Sequence, residues 1–267
     1  MNFLRSPAAA WIGAGVTLLA LTIVAFGWSM PSLRQSAAMA ASGRIEVSFA
    51  GTPRWMSAQD LAPIQEIVLR AAGPSPYDRE GLARAREALL ASGWFDSVSQ
   101  VTRTGENSIE VDGVFAQPTA LVADSAGDHL VDARGTLMPR SYAPGTAPAI
   151  TRITGVLLPR PAAPGIIWQG ADLVAGIEMA KLVGMQRWRA QIASIDVSHY
   201  RDHQTMTLTT TGGCELNWGR APGAEAAAEV PASQKLRYID LLHSQYGRID
   251  AAGPKAIDLS VDYVGSR

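Results

Sequence analysis

Residues 11–30 (WIGAGVTLLALTIVAFGWSM) are apolar without a charged position, whereas the apolar positions further along mostly recur with a period of two or of three to four. At 1.5 Å rise per residue the first block matches a bilayer core of about 30 Å and predicts one transmembrane helix. Trp11 and Trp28 stand near its ends, where an indole favours the headgroup boundary, and Pro31 follows. Residues 44–49 alternate, with Ile45, Val47 and Phe49 opposite Arg44, Glu46 and Ser48, which predicts a half-buried strand. Asp60 is placed to N-cap a helix with Pro63 at its third position, Ile64, Ile67, Val68 and Ala71 as its stripe, and Gly73-Pro74 as its stop. A second helix is predicted over 78–92, with Leu82, Ala85, Leu89 and Leu90 inward and Gly93 at its end. Residues 94–104 and 108–116 read as two strands closed by Gly105-Glu106-Asn107.

After Pro118 the pattern turns to strands. Residues 120–123 and 129–131 flank the loop 124–128, and 132–135 form the next turn. Pro139, Pro144, Pro148, Pro159, Pro161 and Pro164 predict irregular chain there, apart from a strand within 150–158. A helix is expected over 172–183, with Leu173, Ile177 and Ala180 inward. Strands are expected over 192–198, 205–211 and 214–218, the last two joined by Gly212-Gly213 as a two-residue type I′ loop. Ser233 can cap a helix to Tyr246 that carries Leu236, Ile239 and Leu242. The terminal run 256–264 sets Ile257, Leu259, Val261 and Tyr263 against Asp258, Ser260 and Asp262, a strand with one buried face.

Composition narrows the function classes. Lys+Arg 23 against Asp+Glu 24 leaves a net charge of -1, with no electrostatic footprint for nucleic acid. At 47% hydrophobic and 18% charged, the 267 residues are too apolar for a disordered chain and long enough for two small domains. The single cysteine, Cys214, excludes an intramolecular disulfide and a zinc site of paired thiolates. His199, His203, Asp202 and Cys214 could be set against a zinc ion, but the histidines fall in a polar turn and read first as a solvated loop. No nucleophile elbow, Walker loop, dinucleotide fingerprint or zinc-protease helix is present, and Asp196, Glu215, Asp258 and Asp262 read as outer-face strand residues. The expectation is a non-enzyme with no cofactor and no metal. The apolar block exceeds the roughly 7–15-residue core of a cleavable signal, which favours a retained anchor, while Ala38-Met39-Ala40 keeps cleavage as the alternative. Either way the folded part is expected outside the cytoplasm.

The order strand, helix, helix, strand, strand resembles the POTRA module, an interaction fold without catalytic residues. The whole arrangement resembles the FtsQ/DivIB family of bacterial cell-division proteins. Its carriers are Gly93-Trp94-Phe95, Pro118 with Ala120, Leu130-Val131-Asp132-Ala133-Arg134-Gly135 beside the family's L-V-D-x-x-G turn, and Ile257-Asp258-Leu259 beside its I-D-L-R strand, with Ser260 where that family has arginine. The resemblance implies an α+β protein: a cytoplasmic stub (1–10), a single inner-membrane helix (11–30), a linker (31–43), a POTRA-like domain (44–117) and a mostly antiparallel β domain with flanking helices (118–267). It implies a septal scaffold of the divisome, with its C-terminal domains in the periplasm, that binds the small coiled-coil proteins FtsB and FtsL. Partner contacts are then expected at Ile257, Leu259, Ser260, Val261 and Tyr263, by strand addition to a sheet edge. Removing residues 257–267 is expected to abolish capture. The alternative is a membrane-anchored or secreted interaction subunit of a secretion or outer-membrane assembly system.

Overall fold

The computed structural model describes residues 45–73, 75, 78–251 and 256–261. The anchor segment 11–30, the linker 31–43, Asp262 and Tyr263 lie outside that range. Among the described residues no helix is long and apolar enough to cross a membrane. The chain forms two compact units, one ending at Leu89 and taking in Val98–Gly113, the other made of Leu90–Ser97 and everything from Val114 onward.

The first unit follows the predicted order: β1 (Glu46–Phe49), α1 (Ala58–Ala72), α2 (Arg79–Ala91), then β2 (Phe95–Gly105) and β3 (Ser108–Phe115). The three strands form a sheet ordered β1-β3-β2, with β1 parallel to β3. Helix α1 starts earlier than its acidic residue suggests. Ser57 is the N-cap and Asp60 the third helical residue, whose carboxylate accepts the Ser57 amide at 2.9 Å and the Ser57 hydroxyl at 2.6 Å. That reciprocal box moves Pro63 inside the helix. The buried stripe is Ile64, Val68 and Ala72, with Ile67 and Ala71 at its margin. Helix α2 meets α1 at Gly81, where a Cβ would collide with the Ala72 carbonyl, so only glycine permits that approach.

The second unit is built on an eight-stranded sheet. Its strands are β4 (Ala120–Asp124), β5 (Gly127–Val131), β6 (Leu137–Tyr142), β7 (Arg152–Thr154), β8 (Ile192–Asp196), β9 (Met206–Thr210), β10 (Glu215–Gly219) and β11 (Ala256–Asp258), in the order β11-β10-β9-β8-β7-β4-β5-β6. The expected mostly antiparallel sheet is in fact mixed. The pairs β4-β5, β5-β6, β8-β9 and β9-β10 are antiparallel, while β4-β7, β7-β8 and β10-β11 are parallel. Parallel neighbours need long crossovers, and two of them carry helices: α3 (Ala171–Gly184) between β7 and β8, and α5 (Ala232–Tyr246) between β10 and β11. The one-turn helix α4 (Tyr200–His203) links β8 to β9.

Strand β6 runs through Pro139, where the prolines predict irregular chain; it is the sheet's far edge, the place where a strand tolerates a missing N–H. The 214–218 hairpin also differs from its type I′ expectation. The Gly213 amide donates to the Thr210 carbonyl and Gly213 alone takes positive φ (80°), so Thr211, Gly212 and Gly213 form a three-residue loop. Ser233 lies inside α5, whose N-cap is Pro231. One sheet face, α3 and α5 share the core of Val122, Ile153, Trp168, Leu173, Ile195, Leu208, Leu216, Trp218 and Ile239.

Candidate functional site

Strand β11 ends the sheet. Among the described residues β10 is its one neighbouring strand, in the parallel register Glu215↔Ala256, Leu216↔Ile257 and Asn217↔Asp258. Successive residues of a strand present their amides and carbonyls to opposite sides. The Leu259 amide donates to the Asn217 carbonyl at 2.9 Å, so the backbone of Leu259 and, two residues back, of Ile257 serves β10. The outward rim therefore belongs to Ala256, Asp258 and Ser260.

That rim is open over a short stretch. At Ser260 the outward amide donates to Asp258 Oδ1 at 2.9 Å, the hydroxyl to the same oxygen at 2.6 Å, and the carbonyl accepts the Val230 amide at 3.0 Å. Among the described residues nothing pairs with the outward backbone groups of Ala256 and Asp258. The resemblance to the FtsQ/DivIB family implies partner contacts at Ile257, Leu259, Ser260, Val261 and Tyr263. Here Ile257 is half-buried, Ser260 is tied to Asp258 and Val230, and Val261 is exposed. Leu259 is 5% exposed and part of the core. Removing residues 257–267 would consequently take a core side chain along with the rim, so truncation is a blunter test than a point change.

Beneath the rim lies a polar knot that alternation does not reveal. The Lys235 side chain is 0% exposed; its Nζ donates to the Trp218 carbonyl and to Glu229 Oε1, both at 2.6 Å, and sits 5.0 Å from the Trp218 ring. Glu229 also accepts the Arg220 amide at 2.8 Å and the Ala226 amide at 3.3 Å. The knot holds segment 220–230 against the end of β10, and Val230 then meets Ser260. Gly219, at φ 87°, passes so close to Glu229 that a Cβ there would overlap the carboxylate. The legible signal is spacing: Lys235, Ile239 and Leu242 lie at i, i+4 and i+7, which puts a lysine on the buried stripe.

Other chemistry-bearing residues are dispersed. His199 and His203 stand exposed around α4 with ring centroids 6.2 Å apart. Cys214 is buried, and burial, followed by the charges of Asp250 and Glu215, pushes its thiol pKa up. Asp196 caps the Ser198 amide at 2.8 Å and Glu215 is exposed. The Leu130–Gly135 segment is a structural turn: Asp132 Oδ1 accepts the Arg134 amide at 2.8 Å and the Thr136 amide at 2.7 Å, with Gly135 at φ 82°. At the β9-β10 loop, Asp250 accepts from Arg248 and from the Thr210 hydroxyl. The Arg248 hydrogen bond is the main cause that lowers its pKa to about 2, against the cost of burial.

No family model and no curated protein matches the chain. Among solved structures it is similar to the major extracytoplasmic domain of the trans isomer of the bacterial cell division protein DivIB from Geobacillus stearothermophilus, with 16% identity over 40% of this chain and 81% of that one, at a TM-score of 0.28. A likeness of that degree is too slight to establish a shared fold or a shared function.

Proposed function

We propose that the protein is a non-catalytic, single-pass scaffold of the bacterial division machinery that holds its C-terminal domains outside the cytoplasmic membrane and captures a partner by strand addition at β11. The observation that carries this reading is the outward rim at Ala256 and Asp258, backed by a knot that fixes the neighbouring segment. An exposed backbone rim offers affinity without a cofactor, and a partner strand would extend the eight-stranded sheet by one. Supporting the division role are the apolar segment 11–30, the strand-helix-helix-strand-strand order of the first unit, and the Leu130–Gly135 and Ile257-Asp258-Leu259 stretches that resemble the FtsQ/DivIB family. On this reading the partners are FtsB-like and FtsL-like coiled-coil proteins. Depletion tests it. Cells should elongate without separating, and a fluorescent fusion should gather at mid-cell in dividing cells; normal separation with a uniform or polar signal would favour a secretion-system subunit instead.

A further inference from the structure

Away from β11, at the start of β7, an open cleft of about 500 Å³ lies on the second unit, within the size range of peptide and small-ligand sites. Two guanidinium groups line it, Arg152 on β7 and Arg189 at the head of a 3-10 turn (Arg189–Gln191). Arg152 is held in place from behind: its Nε donates to Asp128 Oδ1 at 2.7 Å, and that carboxylate is 3% exposed, buried in β5. The Arg152 side chain itself is 39% exposed. With Nε committed, its Nη groups have no acceptor among the described residues, and Arg189 has no acidic partner there either. Asp128, the cleft's one carboxylate, is already spent on Arg152, so the cleft is a net cationic concavity.

The lining segment 145–151 is tied at both ends by hydrogen bonds within the unit. The Thr146 amide and hydroxyl both donate to the Ala143 carbonyl, at 3.0 and 2.9 Å, and the Leu121 amide fastens the wall's end to the sheet through the Thr151 carbonyl at 2.9 Å. A preformed wall lowers the ordering cost of binding. Small side chains at Ala149, Ala190 and Ala193 leave room beside the guanidinium groups, and Leu121 and Ile150 add apolar surface. An inorganic anion would use the charge but not this space or lining. A polyanion would need many more cations than two, and the chain's net charge of -1 does nothing to attract one.

We infer that this cleft binds an acidic peptide segment, with a carboxylate taken by the Arg152 Nη groups and a second acidic group met by Arg189. Arginine suits the task because its planar fork can engage both carboxylate oxygens while Nε stays anchored. The inference stands on β4, β5, β7 and the 3-10 turn and does not depend on capture at β11. Fluorescence anisotropy of the full chain with a fluorescein-labelled Glu-Ala-Glu-Ala-Glu peptide tests it. The glutamine counterpart, which loses both contacts, should bind about a hundredfold more weakly, and the R189Q variant about tenfold more weakly, the size expected for one lost charge-assisted hydrogen bond. Because R152Q alone strands Asp128, the double variant R152Q/D128N is used as well; it should keep its circular-dichroism melt and lose binding by at least the same factor. Equal binding of both peptides, or unchanged binding in R189Q and R152Q/D128N, would overturn the inference. So would displacement by equimolar inorganic phosphate, which would mark an adventitious ion only.

Discussion

A lysine withdrawn wholly from solvent is tolerated only where its charge is met, and at Lys235 that duty falls to Glu229, the Trp218 carbonyl and the face of the Trp218 ring. Replacing Lys235 with methionine leaves the largely buried Glu229 carboxylate without its cation, so Lys235→Met should cost about 3–5 kcal/mol in urea denaturation. Lys235→Met combined with Glu229→Gln should recover much of that loss; a double variant as unstable as the single would show that packing, not charge, matters here. Asp250 makes a second prediction. Its folded pKa, about 2, lies below the ordinary 3.8, so the stability it contributes is present above pH about 4 and is lost as pH falls towards 2. Asp250→Asn should therefore be less stable than the parent at pH 7, and the gap in denaturation midpoint should close on going from pH 4 to pH 2. A gap that stays constant would assign the Asp250 contribution to something other than its charge.

At the scale of elements, the direction of each backbone group at β11 matters more than which side chains are apolar. Ala256 opens the strand with its N–H outward, and Ile257 turns its own towards β10. Proline is tolerated at the first residue of an edge strand, so Ala256→Pro should leave stability within about 0.5 kcal/mol while weakening partner capture. Ile257→Pro should break the β10 ladder and destabilise the second unit by about 3 kcal/mol. Melting curves alongside co-purification separate the two; equal destabilisation by both would contradict the register. The sequence pattern locates nearly every strand and helix, because two- and three-to-four-residue periods report directly on buried faces. It misses β6, where the prolines outweigh an edge position that only sheet order reveals. It also misses the capping box at Ser57, since Ser57 and Asp60 are both good caps until their mutual hydrogen bonds are known. At β11, alternation marks Ile257 and Leu259 as one buried face, but strand addition would read the backbone, and the side of the strand facing β10 cannot be told from apolar spacing. The Arg152-Asp128 pair is equally hidden, because it joins strands far apart in sequence.

For the whole molecule, the division of labour is between a sheet that buries its core against α3 and a short rim at β11 that is unpaired among the described residues. A rim of two residues is little to hold a partner by itself, and the bonds of Ser260 to Asp258 and Val230 keep it from growing into an indiscriminate edge. Under the proposed scaffold role, a shared membrane would bring the partner close, and such tethering would raise its effective concentration. The decisive measurement is photo-crosslinking in living cells from an unnatural amino acid placed at Ala256 or Asp258, both on the exposed face, with mass spectrometry of the product. Scaffolding by strand addition at β11 requires one dominant adduct with a small single-pass coiled-coil division protein, and the adduct formed from position 258 should be lost on Ala256→Pro. Adducts only with secretion or outer-membrane assembly components, or no adduct from either position, would contradict it.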